Sequence, residues 1–157
     1  MAVTIFGSGQ IVVQVVQTVK STSFSTTSSS FVDITGITAT ITPRNSLNRI
    51  YVIIDMKCSS SDASANTLRL LRNGTEVGGS SGTNGGFASF GMGAYTRENM
   101  NQQMFSYLDS PSTTSAVTYK VQGLTSGTLV NNAMTSGSFL TGRLATSTIT
   151  LIEVAYA

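Results

Sequence analysis

Histidine and tryptophan are both absent from this 157-residue chain, and cysteine occurs once. Histidine is the usual general base of nucleophilic catalysis and the commonest metal ligand in proteins. Its absence therefore argues against the assignment of this chain as an enzyme or a metal-binding protein. The lone Cys58 cannot form an internal disulfide, which favours synthesis in a reducing cytoplasm. We therefore expect a non-enzymatic protein with no cofactor and no metal site.

Carboxylates are also few, at seven in the whole chain, and they are dispersed. A metal-binding loop needs several of them close together. Folding could still create a glycosidase-like pair, but a solvated or turn-capping role is the interpretation favoured for each. Asp109, before Ser110-Pro111, is predicted to initiate a turn. Glu153 lies in an apolar segment and is predicted to need an arginine partner or an exposed edge.

Charged residues make up only 10% of the chain, and the net charge is +2. The basic residues are scattered, without the clustering that neutralises a run of phosphates, so no nucleic-acid partner is expected. No stretch approaches the ~20 apolar residues needed to cross a bilayer, and the N-terminus lacks the basic region of a signal peptide. These absences predict a soluble, unprocessed product without membrane insertion.

Alternation of apolar and polar residues is the main secondary-structure signal. In residues 37–41 apolar side chains alternate with threonines, which is typical of a half-buried strand. Pro43 removes a backbone donor and is predicted to end that strand. Residues 50–56 and 117–121 follow the same pattern, and Gly123 is predicted to begin a turn.

A β-hairpin is the strongest local prediction. Residues 68–72 and 75–77 flank Asn73-Gly74, and a type I′ turn needs positive φ at both central residues, which this pair adopts readily. Asn73-Gly74-Thr75 also matches the N-glycosylation acceptor pattern, but nothing else indicates secretion. The turn is the favoured interpretation.

Three other segments are less regular. Residues 78–93 are rich in Gly, Ser, Thr and Asn and are predicted to form a long surface loop or irregular edge. Residues 21–30 are predicted to form a strand and loop anchored by Phe24 and Phe31. Residues 100–108 have apolar positions that fit a short helix, but a strand over 103–108 is favoured.

These features predict a single all-β domain. Many short alternating runs separated by turns suggest two packed antiparallel sheets, because the edges of one open sheet would be exposed to self-association. We assign residues 1–10 to an N-terminal arm and 11–157 to the β-sandwich. The arm contains an apolar patch of Val3, Ile5 and Phe6; the alternative, that these residues form the first strand of the fold, stays open.

The last strand has apolar residues on both faces, with Ile149 and Leu151 on one side and Ile152, Val154 and Tyr156 on the other. Such a strand suits either a subunit interface or the centre of a sandwich, because both environments favour the same residues. Together with the arm, these residues form the candidate interface.

Four segments, 9–16, 31–43, 106–122 and 147–155, resemble in their order a family of tailed-phage virion proteins of the cyanophage and marine-phage type. Members are often described as tail-fibre or structural proteins. The resemblance implies a jelly-roll-type antiparallel β-sandwich and assembly as a homotrimer. The sequence departs from the family in its Gly-rich loop and around 95–103.

The resulting expectation is a virion surface protein made in the host cytoplasm, with capsid decoration or cementing preferred. Its expected partners are its own copies and the major capsid protein or tail proteins. A receptor-binding tail fibre or tail tip is the first alternative, with Tyr95, Arg97 and Asn99 as candidate contacts to a host surface glycan. A carbohydrate-binding module is the second. Decoration is preferred because 157 residues leave no room for a fibrous shaft.

Overall fold

A computed structural model describes residues 11–60, 65–79, 88–91, 100–134 and 145–155, and at 65 and 88–91 it describes the backbone alone. These residues form eleven β-strands and no helix. They accordingly contain no helix that is long and apolar enough to span a membrane. The strands are β1 Val12–Lys20, β2 Phe24–Thr26, β3 Val32–Ile41, β4 Arg49–Ser60, β5 Ala65–Arg72, β6 Thr75–Val77, β7 Ala88–Gly91, β8 Asn101–Asp109, β9 Val117–Thr125, β10 Leu129–Asn131 and β11 Ser147–Val154.

The strands form two sheets in which the paired strands run antiparallel. Sheet A has the order β1-β11-β4-β8, and the short strands β10 and β2 continue it from the far end of β4. Sheet B has the order β3-β9-β5, with β6 and β7 pairing to different parts of β5. Each sheet presents one face to the other and one face outward.

The pairing defines a jelly roll. Four strand pairs are nested along the chain: β1 with β11, β3 with β9, β4 with β8, and β5 with β7. Successive pairs alternate between sheet A and sheet B, which is the pattern of a long antiparallel hairpin rolled into a sandwich. The predicted jelly-roll-like β-sandwich is thus confirmed by the connectivity of the chain.

The space between the sheets is filled by the inward-facing residues of the long strands. Along β4 buried and half-buried residues alternate, as expected for a strand with one face on the core. Burying each large aliphatic side chain contributes about 1.5–3 kcal/mol, so this layer is the main source of stability. The core comprises Ile34, Ile37, Ala39, Ile41, Ile50, Val52, Ile54, Met56, Cys58, Leu68, Leu70, Val117, Tyr119, Val121, Leu129, Ile149 and Leu151.

Most local predictions are confirmed. Strand β3 ends at Ile41, two residues before Pro43, and residues 50–56 and 117–121 lie within β4 and β9. The hairpin joins β5 to β6, with φ of 48° at Asn73 and 88° at Gly74. Residues 101–109 form strand β8, which excludes the helical alternative there.

The turn predicted at Gly123 is wrong. Gly123 begins no turn; it lies within β9, where a Cβ atom would come within 2.8 Å of Leu129 Cδ2 and 3.2 Å of Ile34 Cδ1. Residues 78–93, predicted to form a long surface loop or irregular edge, contain strand β7, which pairs with β5 and agrees with the second of these alternatives. The N-terminal arm, residues 1–10, lies outside the described residues, as do 80–87 and 92–93.

Candidate assembly surface

The outward face of sheet B is polar and internally hydrogen-bonded. Lys120 Nζ lies 2.8 Å from Asp33 Oδ2, and Arg69 donates to Gln122 Oε1 at 2.6 and 2.9 Å. The hydrogen bonds from Lys120 and then Gln122 lower the pKa of Asp33. The Arg69 guanidinium also lies 3.9 Å from the centre of the Phe31 ring. Such a face is suited to water.

The outward face of sheet A is different because an apolar row crosses all four of its long strands. The strand registers place Val15 beside Ile152, Ile152 beside Tyr51, and Tyr51 beside Leu108. Val15 is 56% exposed, and the other three are half-buried. We call these four residues the apolar row.

Further apolar side chains lie on the same face. Val19 is 57% exposed and Met104 is 67% exposed, and the row between them and the apolar row holds Gln17, Thr150, Ile53 and Ser106. The outward charged residues of the described strands lie towards the ends of this face: Arg49 at one end, and the ion pair of Asp55 and Lys57 at the other. The centre of the face is therefore uncharged and rich in apolar groups, as in the buried core of a protein interface.

Of the predicted interface residues that the structure describes, some are buried inside the subunit and one faces outward. Ile149 and Leu151 are fully buried between the sheets and Val154 is 2% exposed, so none of them has a side chain free to contact another subunit. Ile149 and Leu151 are apolar because they lie at the centre of the sandwich, which is the second of the two alternatives given for the last strand. Ile152 faces outward at the middle of the apolar row.

The other predicted site residues lie outside the described residues. They are Val3, Ile5, Phe6 and Tyr156 of the candidate interface, and Tyr95, Arg97 and Asn99 of the candidate glycan contact. Sequence reasoning missed Val15, Tyr51 and Leu108. Their alternation was visible along each strand, but only the register between distant strands aligns them in one row.

The side chain of Asp109 links the two sheets at the point where β8 ends. Asp109 is the last residue of β8 and is 4% exposed. Its carboxylate accepts hydrogen bonds from Arg72 Nη1 at 2.8 and 2.9 Å and from the Tyr119 hydroxyl at 2.6 Å. Burial, and then the bond to Asp109, raises the pKa of Tyr119. These contacts satisfy the buried carboxylate and make it a structural group.

Glu153 is buried without the arginine side chain or exposed edge predicted for it. Its carboxylate accepts hydrogen bonds from Asn48 Nδ2 at 2.6 Å, Gln14 Nε2 at 2.5 Å and the backbone N–H of Arg44 at 2.8 Å. Burial raises the pKa of Glu153, but these bonds and one from the backbone of Asn45 outweigh it and hold the pKa below its usual value. Amide and backbone donors thus replace the expected guanidinium.

Two further features bear on chemistry. Cys58 is buried, and burial raises the pKa of its thiol to about 12, so it is a core residue and a poor nucleophile. The described residues contain no group of three or more side chains suited to hold a metal ion.

A shallow cleft of about 360 Å³ lies beside β2 and β10. It is lined by Ser23, Ser25 and Thr128 and by the apolar residues Phe24, Val130, Ala133 and Met134, of which Phe24 also packs against the core. The lining carries no charge.

No protein-family model and no curated protein sequence matches the chain. Among solved structures it is similar to a chain of infectious bursal disease virus, Gx strain, with 16% identity and a TM-score of 0.47 over 92% of this chain and 40% of that one. It is also similar to the VP2 subviral particle of the same virus, with 14% identity and a TM-score of 0.46 over 94% of this chain and 40% of that one. The chain spans about two fifths of the length of each. The jelly-roll assignment rests on the strand pairing described above.

Proposed function

We propose that this chain is a non-enzymatic structural protein of a virus particle that works by assembly. The observation that carries the proposal is the contrast between the two outer faces: sheet B is polar, whereas sheet A presents an uncharged apolar row. An exposed apolar surface of this kind marks an interaction site. The resemblance of four segments to tailed-phage virion proteins supports the choice of particle.

Within the particle, the proposed role is decoration or cementing of the capsid as a homotrimer on its outer surface. The apolar face would then lie against protein and the polar face of sheet B would lie against water. The trimer follows from the resemblance, whereas the capsid location is our preference over a location on the tail. Residues 1–10 are proposed to help docking by adding to a neighbour's sheet or filling a groove.

The test is sedimentation of the purified chain with empty capsids of the phage that encodes it. We expect saturable co-sedimentation, reduced when residues 2–8 are deleted. A chain that stays in the supernatant with capsids but binds isolated tails would contradict decoration and favour the tail-tip alternative. If the deletion does not reduce binding, only the docking role of the arm is refuted, and decoration of the capsid is not.

A glycan-binding role is the second candidate, and the cleft beside β2 and β10 favours it. Hydroxyls and an aromatic ring without charge are suited to a neutral sugar. Binding to a panel of host surface glycans, lost in a Phe24→Ala variant that still folds, would support this role. The absence of binding to every glycan of the panel would refute it.

The proposal also predicts that the chain hydrolyses neither polysaccharides nor esters. Among the described carboxylates the most buried are Asp109 and Glu153, and each accepts hydrogen bonds within the fold. Turnover that disappears on substitution of a single carboxylate would overturn the non-enzymatic assignment.

A further inference from the structure

We infer that the outward face of sheet A is the surface on which a second copy of this chain packs. This inference rests on the proposed function and deepens it, because it assigns self-association to one face. The face is made of β1, β11, β4 and β8, and the apolar row crosses its middle.

The lack of charge at the centre of this face favours a second copy of the chain over a charged partner. Gln17, Thr150 and Ser106 flank the apolar row with uncharged groups. A nucleic acid or an anionic membrane would require clustered cations. At the centre of such a contact neither copy brings a charge that the other would have to bury. Arg49 and the ion pair of Asp55 and Lys57 lie at the two ends of the face, where the polar rim of an interface lies.

The size of the face is also suitable. Four strands spaced at about 4.8 Å and nine residues of about 3.3 Å each give a flat area of about 19 by 30 Å, or roughly 570 Å². The side chains add to this, and a stable interface buries about 800 Å² on each partner. The face therefore has most of the area that a stable contact between two copies needs.

A charge at Val15 tests the inference directly. Val15 is 56% exposed on an edge strand, so an aspartate there is solvated in the isolated subunit but buried in the assembly. Leu47, which is 67% exposed on the segment between β3 and β4, provides the matched control. Light scattering at micromolar concentration should show an oligomer for the wild type and for Leu47→Asp, and a monomer for Val15→Asp.

Folding is checked by circular dichroism and by the thermal melt of each variant. A wild type that is monomeric at micromolar concentration would overturn the inference. So would a folded Val15→Asp variant with the mass of the wild-type oligomer.

Thiol protection provides a second measurement that does not depend on the aspartate variant. Cys58 is fully buried, so an introduced surface cysteine provides the only exposed thiol, and the unmodified chain serves as the control for reaction at Cys58. Ser106, on the face of sheet A, and Thr38, on the face of sheet B, are both exposed in the isolated subunit. We expect Ser106→Cys to be protected from a maleimide at least tenfold relative to Thr38→Cys. Equal rates would contradict the inference.

The two proposals fail in different ways. An oligomer that uses this face but binds neither capsids nor tails refutes the virion role and leaves the inference standing. A chain that decorates capsids but is monomeric in solution, with Ser106→Cys freely reactive, refutes the inference and leaves the virion role standing.

Discussion

Glu153 is the most tightly enclosed carboxylate in the described part of the sandwich, and its surroundings show how a buried charge can be stabilised without a cation. Donors from three parts of the chain, Gln14, the segment 44–45 and Asn48, converge on it. Hydrogen bonds to a charged group contribute about 1.5–3 kcal/mol each, which is enough to offset much of the cost of burial. The carboxylate thereby ties the end of β11 to the connection between β3 and β4.

We expect Glu153→Gln to lower the free energy of unfolding by about 1–3 kcal/mol at pH 7, because the new amide group would face donors and leave buried groups unpaired. The pKa of Glu153 is held below its ordinary value of 4.5. Its contribution is therefore complete above pH 4.5 and is lost as the pH falls through the folded-state pKa. Urea unfolding measured from pH 7 to pH 3 should show a smaller loss of stability on acidification in the variant.

The matched control is Glu76→Gln. Glu76 is half-exposed and its carboxylate lies 3.6 Å from Arg69 Nη1, so its loss should change the unfolding free energy by less than about 0.5 kcal/mol. Equal effects of the two substitutions would contradict the role given to Glu153.

The hairpin between β5 and β6 shows that an element can be predicted when its cause is local. Gly74 has φ of 88° and nothing lies within 4 Å of the position of its missing Cβ. Gly74→Ala should therefore cost about 1–2 kcal/mol through backbone strain alone. Gly74→Asn should cost less, because asparagine tolerates this conformation. Equal unfolding midpoints for the two variants would show that the turn is not strained as described.

Asp109 connects elements that are distant in the chain, since it joins β8 of sheet A to β5 and β9 of sheet B through Arg72 and Tyr119. Asp109→Asn removes the charge and places an amide group against one of these donors. We expect a loss of about 2 kcal/mol in chemical unfolding. Asp33→Asn, on the exposed face of sheet B, should cost less than about 1 kcal/mol; a larger loss there than at position 109 would contradict this account.

Elements whose sequence signals are local could be predicted from the sequence. Residue roles that depend on contacts with distant strands could not. The alternation of 37–41, the Asn73-Gly74 turn and the strand over 103–108 all depend on neighbours in the chain. The sequence predicts a turn at Gly123, but a glycine is needed there because a Leu129 methyl group occupies the position of a Cβ atom. Leu129 lies in another strand, so the local sequence does not show this contact. For the same reason Asp109 and Glu153 were assigned without their true partners, which come from as far as 139 residues away.

The nested strand pairs give the molecule two outer faces, one polar and one with an apolar centre. The two apolar faces predicted for the last strand exist, but one of them packs inside the subunit and the other contributes Ile152 to a row shared by four strands. The candidate surface is therefore a property of the sheet and not of any one strand. That surface and the virion resemblance together lead to the structural role proposed above.

The most direct measurement is electron microscopy of native particles, purified from cells that produce this chain and labelled with an antibody against it. We expect regular label over the capsid surface, at a copy number that is a multiple of three at each occupied position. Label confined to the tail would contradict decoration and favour the receptor-binding alternative. Particles that carry no label, with the chain recovered only from the soluble fraction, would contradict the virion role itself.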